Sequence, residues 1–232
     1  MTISEMHYDF KKKLNKVDSN KNRNLLIPEI DWALNEALEI FVKMVAEPRV
    51  AVHLGFEKNQ RIIDDIRTLV TNQVIPVQNN IIPLPEDYMF YLRTQVVIYK
   101  EPCGSKGIQL TIRQHDDTFE DSVYDKSSFE WGVVNGLFNE NGIIVFDDGT
   151  FTIDECILSY IKKHPYINFC EGMPQGTYGL PSGVVLTVNQ DCILPEHTHR
   201  EIVDIAVALV SGELQAGDFQ IKYSKLNFNE LK

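Results

Sequence analysis

PEIDWALNEALEIFVKMVA, residues 28–46, is the stretch on which the reading of the fold turns. On a wheel of about 3.6 residues per turn, Ile30, Leu34, Ala37, Leu38, Phe41 and Val45 share one face. Asp31, Asn35, Glu36, Glu39 and Lys43 fall mostly on the other. Pro28 suits the first helical position, where a missing N–H costs nothing, and Glu29 and Asp31 lie at the positive end of the helix dipole. Pro48 stops the helix after Glu47. The spacing predicts a strongly amphipathic helix whose apolar stripe must be covered by other segments.

Segments on both sides supply candidates for that cover. Upstream, Thr2 and Glu5 have capping-box spacing, and Ile3, Met6, Phe10, Leu14 and Val17 follow at intervals of three or four, which predicts a first helix. Downstream, Phe56, Gln60, Ile63, Ile66, Leu69 and Val70 predict a third helix over 56–72, preceded by Gly55. Near the other end, Leu194-Pro195-Glu196 opens a helix with Ile202, Ile205, Ala206, Leu209 and Val210 on one stripe, closed by Gly212 or Gly217.

Between about Val74 and Asp191 the helical period fades into short apolar runs broken by Pro, Gly, Asn and Asp, the pattern of strands and turns. LPEDYMFYLRTQVVIYK (84–100) reads as a turn passing into a strand, and GIQLTIRQ (107–114) as its pairing partner. GIIVFDDGTFTI (142–153) reads as a hairpin turning at Asp148-Gly149. CILSYIKKHPYINF alternates before Pro165, and GVVLTVN (183–189) reads as a last short strand. The expected architecture is therefore α+β: a helical bundle domain formed by both chain ends, with an inserted antiparallel β-rich domain of five or six strands. Its parts are 1–75 (helical, first part), 76–192 (β-rich insertion), 193–217 (closing helix) and 218–232 (C-terminal arm). The arm, FQIKYSKLNFNELK, has no clean helical period. Phe219, Ile221, Tyr223, Leu226 and Phe228 in it are the candidate interface residues, in a segment able to augment a neighbour's sheet or wrap a partner.

Composition narrows the function classes. A chain of 232 residues, 44% hydrophobic and 24% charged, with no internal repeat, can bury a sizeable core. Its net charge of −11 argues against gripping nucleic acid or an anionic membrane, since affinity for both rests on Lys and Arg. No run reaches the roughly 18 apolar residues of a membrane span, and MTISEMHYDFKKK has no signal-peptide h-region, so a soluble, unexported protein is expected. Cys103, Cys156, Cys170 and Cys192 form no CxxC pair and read as reduced thiols.

Catalytic patterns are sparse: GxxxxGK[ST], GxGxxG, HExxH and GxSxG do not occur, and PSGVV around Ser182 lacks the first Gly of a nucleophile elbow. His197 and His199, with Glu196, Glu201 and Asp204 nearby, are two apart and point about 200° from each other on a helix, which opposes a shared metal ion. Asp116-Asp117 and Asp147-Asp148 read as turn carboxylates without the further ligands of a calcium loop. Cys170, with His164 upstream, reads as a small buried hydrophobe before it reads as a nucleophile. Trp32, Phe41, Tyr88, Phe90, Phe129 and Trp131 read as core. No cofactor is implied and no enzyme is expected; the alternative is a soluble enzyme or small-ligand binding protein with a pocket between the helical and β parts. A weaker third reading is an intracellular regulator that binds a partner through the arm.

Several stretches occur together in one order: TISEMHYDFKKKLNKVDSN, IPEIDWALNEALEIFVK, LPEDYMFYLRTQVVI, SSFEWG, FDDGTFTIDECILSYIKKHPYI and LPEHTHREIVDIAVALVSGELQ. That order resembles the head-to-tail connector, or adaptor, proteins of short-tailed bacteriophages, particularly a ring protein of crAss-like phages and more distantly the tail tubular protein A group. The resemblance implies a structural virion protein of the neck or tail, assembled in the host cytoplasm. It implies a ring, commonly dodecameric, whose partners are further copies of itself, the portal protein and the adjacent tail ring or nozzle proteins. DNA would pass through the lumen without specific binding, which surplus carboxylates favour within the Debye length of roughly 10 Å.

Overall fold

The computed structural model describes residues 1–14, 25–46, 64–114, 125–180 and 183–213. They form two compact units, one from Met1–Thr68 with His164–Lys232 and one from Leu69–Lys163.

The second unit is a seven-stranded sheet in the order β1-β7-β3-β4-β5-β6-β2. Its strands are β1 (Val70–Pro76), β2 (Ile81–Ile82), β3 (Tyr88–Lys100), β4 (Gly104–Ile112), β5 (Val134–Asn139), β6 (Gly142–Phe146) and β7 (Thr152–Lys162). The long β3 and β7 pair at the centre of the β1–β4 half. Both are rich in the β-branched and aromatic residues that fit a pleated surface. Ile75, Cys156, Val96 and Ile108 lie in one register row across β1, β7, β3 and β4. All four are buried, and with Leu110, Val134, Val145 and Leu158 they belong to the core on one face.

Several turns rest on positive φ, and two of them bring β2 and β6 together. Asn79 (φ 50°) and Asn80 (φ 60°) close a tight turn in which Gln78 and Ile81 exchange both backbone hydrogen bonds. Gly142, where β6 begins, has φ 137°, and a Cβ there would stand 2.1 Å from the Ile82 carbonyl oxygen.

In the first unit, α1 (Ile3–Leu14), α2 (Ile27–Ala46) and α3 (His199–Glu213) are the helices with described bounds, and α3 packs on both α1 and α2. The capping box at Thr2 forms: its N–H donates to Glu5 Oε2 at 2.9 Å, and the Glu5 N–H to Thr2 Oγ1 at 3.4 Å. A second acidic cap, Glu29 Oε2, accepts the Leu26 N–H at 2.8 Å. The chain from 164 to 198 is mostly irregular, with single 3₁₀ turns at Cys170–Gly172 and Glu196–Thr198 and the two-residue strands β8 (Tyr178–Gly179) and β9 (Val185–Leu186).

This architecture corrects the expected helical bundle with an inserted antiparallel β-rich domain. A seven-stranded mixed sheet dominates the described structure, and the helices are few. β4 and β5 run parallel, through Leu110↔Val134, Thr111↔Asn135 and Ile112↔Gly136, because the connection between them is long enough for a crossover. The helices do not close into a bundle because polar groups of α2 hold irregular chain against it. Asn35 Nδ2 donates to the Ile167 carbonyl at 2.7 Å, and the Ile167 N–H donates back to Asn35 Oδ1 at 2.8 Å.

Two local expectations also change. Residues 64–66 are helical and Arg67–Leu69 form a 3₁₀ turn, but Val70 to Asn72 belong to β1 and not to a third helix, since Val70, Thr71, Val74 and Ile75 form a β-branched run. The rest of that expected helix lies outside the described residues. β6 and β7 do not pair, so 142–153 is no hairpin. Instead, Asp147 and Asp148 accept the Gly149 and Thr150 N–H groups at 3.0 and 2.8 Å and turn the chain between separate parts of the sheet.

Candidate assembly surface

β1 ends the sheet, and its exposed side follows from the register. The Val77 N–H donates to the Asp154 carbonyl, which continues the pairing Ile75↔Cys156 and Gln73↔Leu158. In an antiparallel ladder both main-chain groups of a hydrogen-bonded residue face the same neighbour, so Thr71, Gln73 and Ile75 face β7. Asn72, Val74 and Pro76 therefore turn their main-chain groups outward, where none of the other described strands pairs with them, whereas the Val70 N–H closes the 3₁₀ turn Arg67–Leu69 and leaves only its carbonyl on that side. Pro76, without an N–H, brings only a carbonyl. No residue of VTNQVIP is charged, although edge strands are commonly guarded by Lys or other charges.

The side chains at this edge are partly apolar as well. Val70 is 40% exposed and Val74 60%. Val74 pairs with Ile157, itself 36% exposed, and Ile157 pairs in turn with Gln95 of β3, so the three side chains stand on the face opposite the core.

At the β3–β4 end of the same unit, Trp131 is 83% exposed on a turn in which Ser128 and Val133 exchange backbone hydrogen bonds. Lys100 Nζ bonds Glu130 Oε1 at 2.5 Å and lies 5.7 Å from the Phe129 ring centre. The hydrogen bond to Glu130 raises the Lys100 pKa, and the same bond lowers that of Glu130. Glu130 is exposed and Lys100 partly covered, so the pair fixes the turn more than it stabilises the fold. In the first unit, Val184, Val185 and Val188 are exposed around β9, and Tyr8 and Trp32 on α1 and α2. Trp32 and Trp131 are thus surface residues, against the expectation of core: Trp32 lies on the solvent side of α2 and Trp131 on an exposed turn.

No protein-family model and no curated protein matches the sequence.

The other singled-out residues take structural places. His197 Nε2 lies 2.6 Å from Asp65 Oδ1, whereas His199 is buried with Nδ1 3.1 Å from the Met1 carbonyl and Nε2 2.9 Å from that of Leu194. The two imidazoles are engaged separately. Among the described residues no group of three or more His, Cys, Asp or Glu is placed to hold a metal ion. Cys170 is buried and receives a hydrogen bond from Asn168 Nδ2 at 3.0 Å, while His164 Nε2 accepts the Ile193 N–H at 2.9 Å. All four cysteines are free; burial pushes the Cys156 and Cys192 thiols up to about 11. Among the described residues no helix is long and apolar enough to cross a membrane. Asp116, Asp117 and the candidate interface residues Phe219, Ile221, Tyr223, Leu226 and Phe228 lie outside the described residues.

One polar centre lies where the sequence pattern places a solvated helix face. Asp31, assigned to the solvated face of α2, is wholly buried. Its Oδ1 lies 2.7 Å from His7 Nε2, and its Oδ2 accepts the Phe169 N–H at 3.0 Å and the Tyr178 hydroxyl. His7 is buried on α1, its ring 5.1 Å from that of Phe169, and its Nδ1 has no partner among the described residues. Burial, and next the Asp31 carboxylate to which it donates, push the Tyr178 hydroxyl well above its ordinary pKa. One carboxylate so ties α1, α2 and two points of the irregular segment together.

Proposed function

We propose that this chain is a structural subunit of the neck or tail ring that joins portal to tail in a short-tailed bacteriophage, with DNA passing through the lumen. The observation that carries the reading is the uncharged edge of β1, with Val70 and Val74 exposed beside main-chain groups that no other strand of the sheet takes up. An edge of this kind offers affinity to another polypeptide through backbone hydrogen bonds, without any catalytic group. The contact it makes with a different surface of a second copy is heterologous, and heterologous contacts that close give rings. A net charge of −11 suits a lumen that repels phosphates. The ordered stretches that resemble connector proteins of short-tailed phages point the same way.

The test is solution mass by light scattering, for the purified chain alone and mixed with the portal protein encoded in the same genome. A ring, formed alone or on the portal, is expected. A monomer or dimer that ignores the portal refutes the proposal.

A further inference from the structure

We infer that the edge of β1 is the acceptor for the C-terminal segment of a neighbouring copy, which adds to the sheet as an eighth strand beside Val70, Asn72 and Val74. The inference rests on the ring reading in that it requires a second copy, and it names the two surfaces that meet. The occupant is chosen by pattern. In residues 219–224, Phe, Gln, Ile, Lys, Tyr and Ser alternate apolar and polar with period two, which places Phe219, Ile221 and Tyr223 on one face of an extended chain. That row matches the exposed apolar row that Val70, Val74 and Ile157 present on the outer face of the sheet. The polar row, Gln220, Lys222 and Ser224, then stands beside Thr71, Gln73 and Ile75. Length fits as well: β1 has seven residues, about 23 Å of strand, and the segment 219–228 spans it. With Lys222 and Lys225 against Asp218, the segment is basic in a chain of net charge −11.

The inward and outward parity of β1 gives the test a signature that a merely structural role does not produce. Amide exchange is measured residue by residue on the full chain, in the assembled state and in a full-length arm variant, Ile221→Pro with Lys222→Pro, which cannot pair as a strand in either orientation. Thr71, Gln73 and Ile75, bonded to β7, stay protected in both states. Asn72 and Val74, whose N–H groups face outward, exchange freely in the arm variant and gain on the order of 100-fold protection in the assembly. Equal exchange at Asn72 and Val74 in both states overturns the inference.

A mixing experiment supplies the second arm. Full-length Val74→Pro blocks the acceptor without removing a bond to β7, and Asn72→Lys with Val74→Lys blocks it by charge without altering the backbone. Each acceptor variant alone, and the arm variant alone, loses the native mass, while a one-to-one mixture of acceptor-blocked and arm-blocked chains gives a heterodimer. A ring that survives both acceptor variants overturns strand addition and leaves the ring reading standing. A native chain that stays monomeric alone and on the portal overturns both.

Discussion

Asp31→Ala removes the acceptor shared by three donors: His7 Nε2–H, the Phe169 N–H and the Tyr178 hydroxyl. A hydrogen bond to a charged group contributes about 1.5–3 kcal/mol net, and a buried donor left without a partner costs about 1–3 kcal/mol. The imidazole and the phenol can turn towards entering water, but the Phe169 amide is fixed by the backbone. The three losses are therefore not additive, and ~3–5 kcal/mol is expected for Asp31→Ala, against ~1–2 kcal/mol for Tyr178→Phe, which removes one donor only. Asp31→Asn keeps the volume and one acceptor oxygen but turns an amide donor towards another donor, so it falls between the two. Each compact unit carries one tryptophan, Trp32 in the first and Trp131 in the second. In a Trp131→Phe background, Trp32 fluorescence during urea unfolding reports on the unit that holds Asp31. A loss below ~1 kcal/mol for Asp31→Ala in that assay refutes the account of this carboxylate as the tie between α1, α2 and the irregular chain.

Asn35→Ala breaks the reciprocal bonds with Ile167 and is expected to cost ~1–2 kcal/mol by the same fluorescence assay, with the second unit unaffected. Gly142→Ala is expected to destabilise the second unit by more than ~3 kcal/mol, read from Trp131 in a Trp32→Phe background, because both its φ of 137° and the Ile82 carbonyl 2.1 Å from a Cβ oppose any side chain. Burial first, and then its hydrogen bond to Asp87, push Tyr160 up to about 12 from 10.0. The folded state thus holds a proton that the unfolded state releases, so Tyr160's contribution is complete below about pH 10 and is lost as pH rises towards 12. Urea midpoints measured on the alkaline side should fall less steeply in Tyr160→Phe than in the native chain, and identical slopes would count against the assignment.

The helices were legible because their signals are local. The cap at Thr2 and Glu5, the stripe through Ile30, Leu34 and Phe41, and the run Ile202 to Val210 each fall within one element, and the structure forms α1, α2 and α3 there. The β3–β4 pairing was legible for the same reason, being a hairpin of neighbouring runs. What surrounds the helices was not. Asp31 sits on the flank of the apolar stripe, where a carboxylate reads as solvated, and the partners that bury it lie 24, 138 and 147 residues away. The one available signal was a pair of coincidences: His7 stands between Met6 and Phe10 in the stripe of α1, and Asp31 and Asn35 lie one turn apart beside the stripe of α2. Two polar groups on the inner sides of two facing helices point to a shared polar contact and to a coil that needs holding.

The edge of β1 was hidden for a different reason. Ile66, Leu69 and Val70 have helical spacing, and a period of three or four read through Val70 and beyond carries a strand into the tail of a helix. The β-branched residues Val70, Thr71, Val74 and Ile75 argue for a strand, yet even a correct strand reading leaves its position in the sheet open, because an edge is defined by the neighbour that is missing. Which residues turn outward depends on a single long-range register, fixed here by the Val77 N–H on the Asp154 carbonyl. A shift of one residue would turn Thr71, Gln73 and Ile75 outward and bring Val70 and Val74 into the core. The buried state of Ile75, 5% exposed against 60% for its neighbour Val74, excludes that shift. The apolar side chains left exposed at the edge are consequently set by the packing of the core, and a partner strand that covers them must carry its own apolar residues on the outer face.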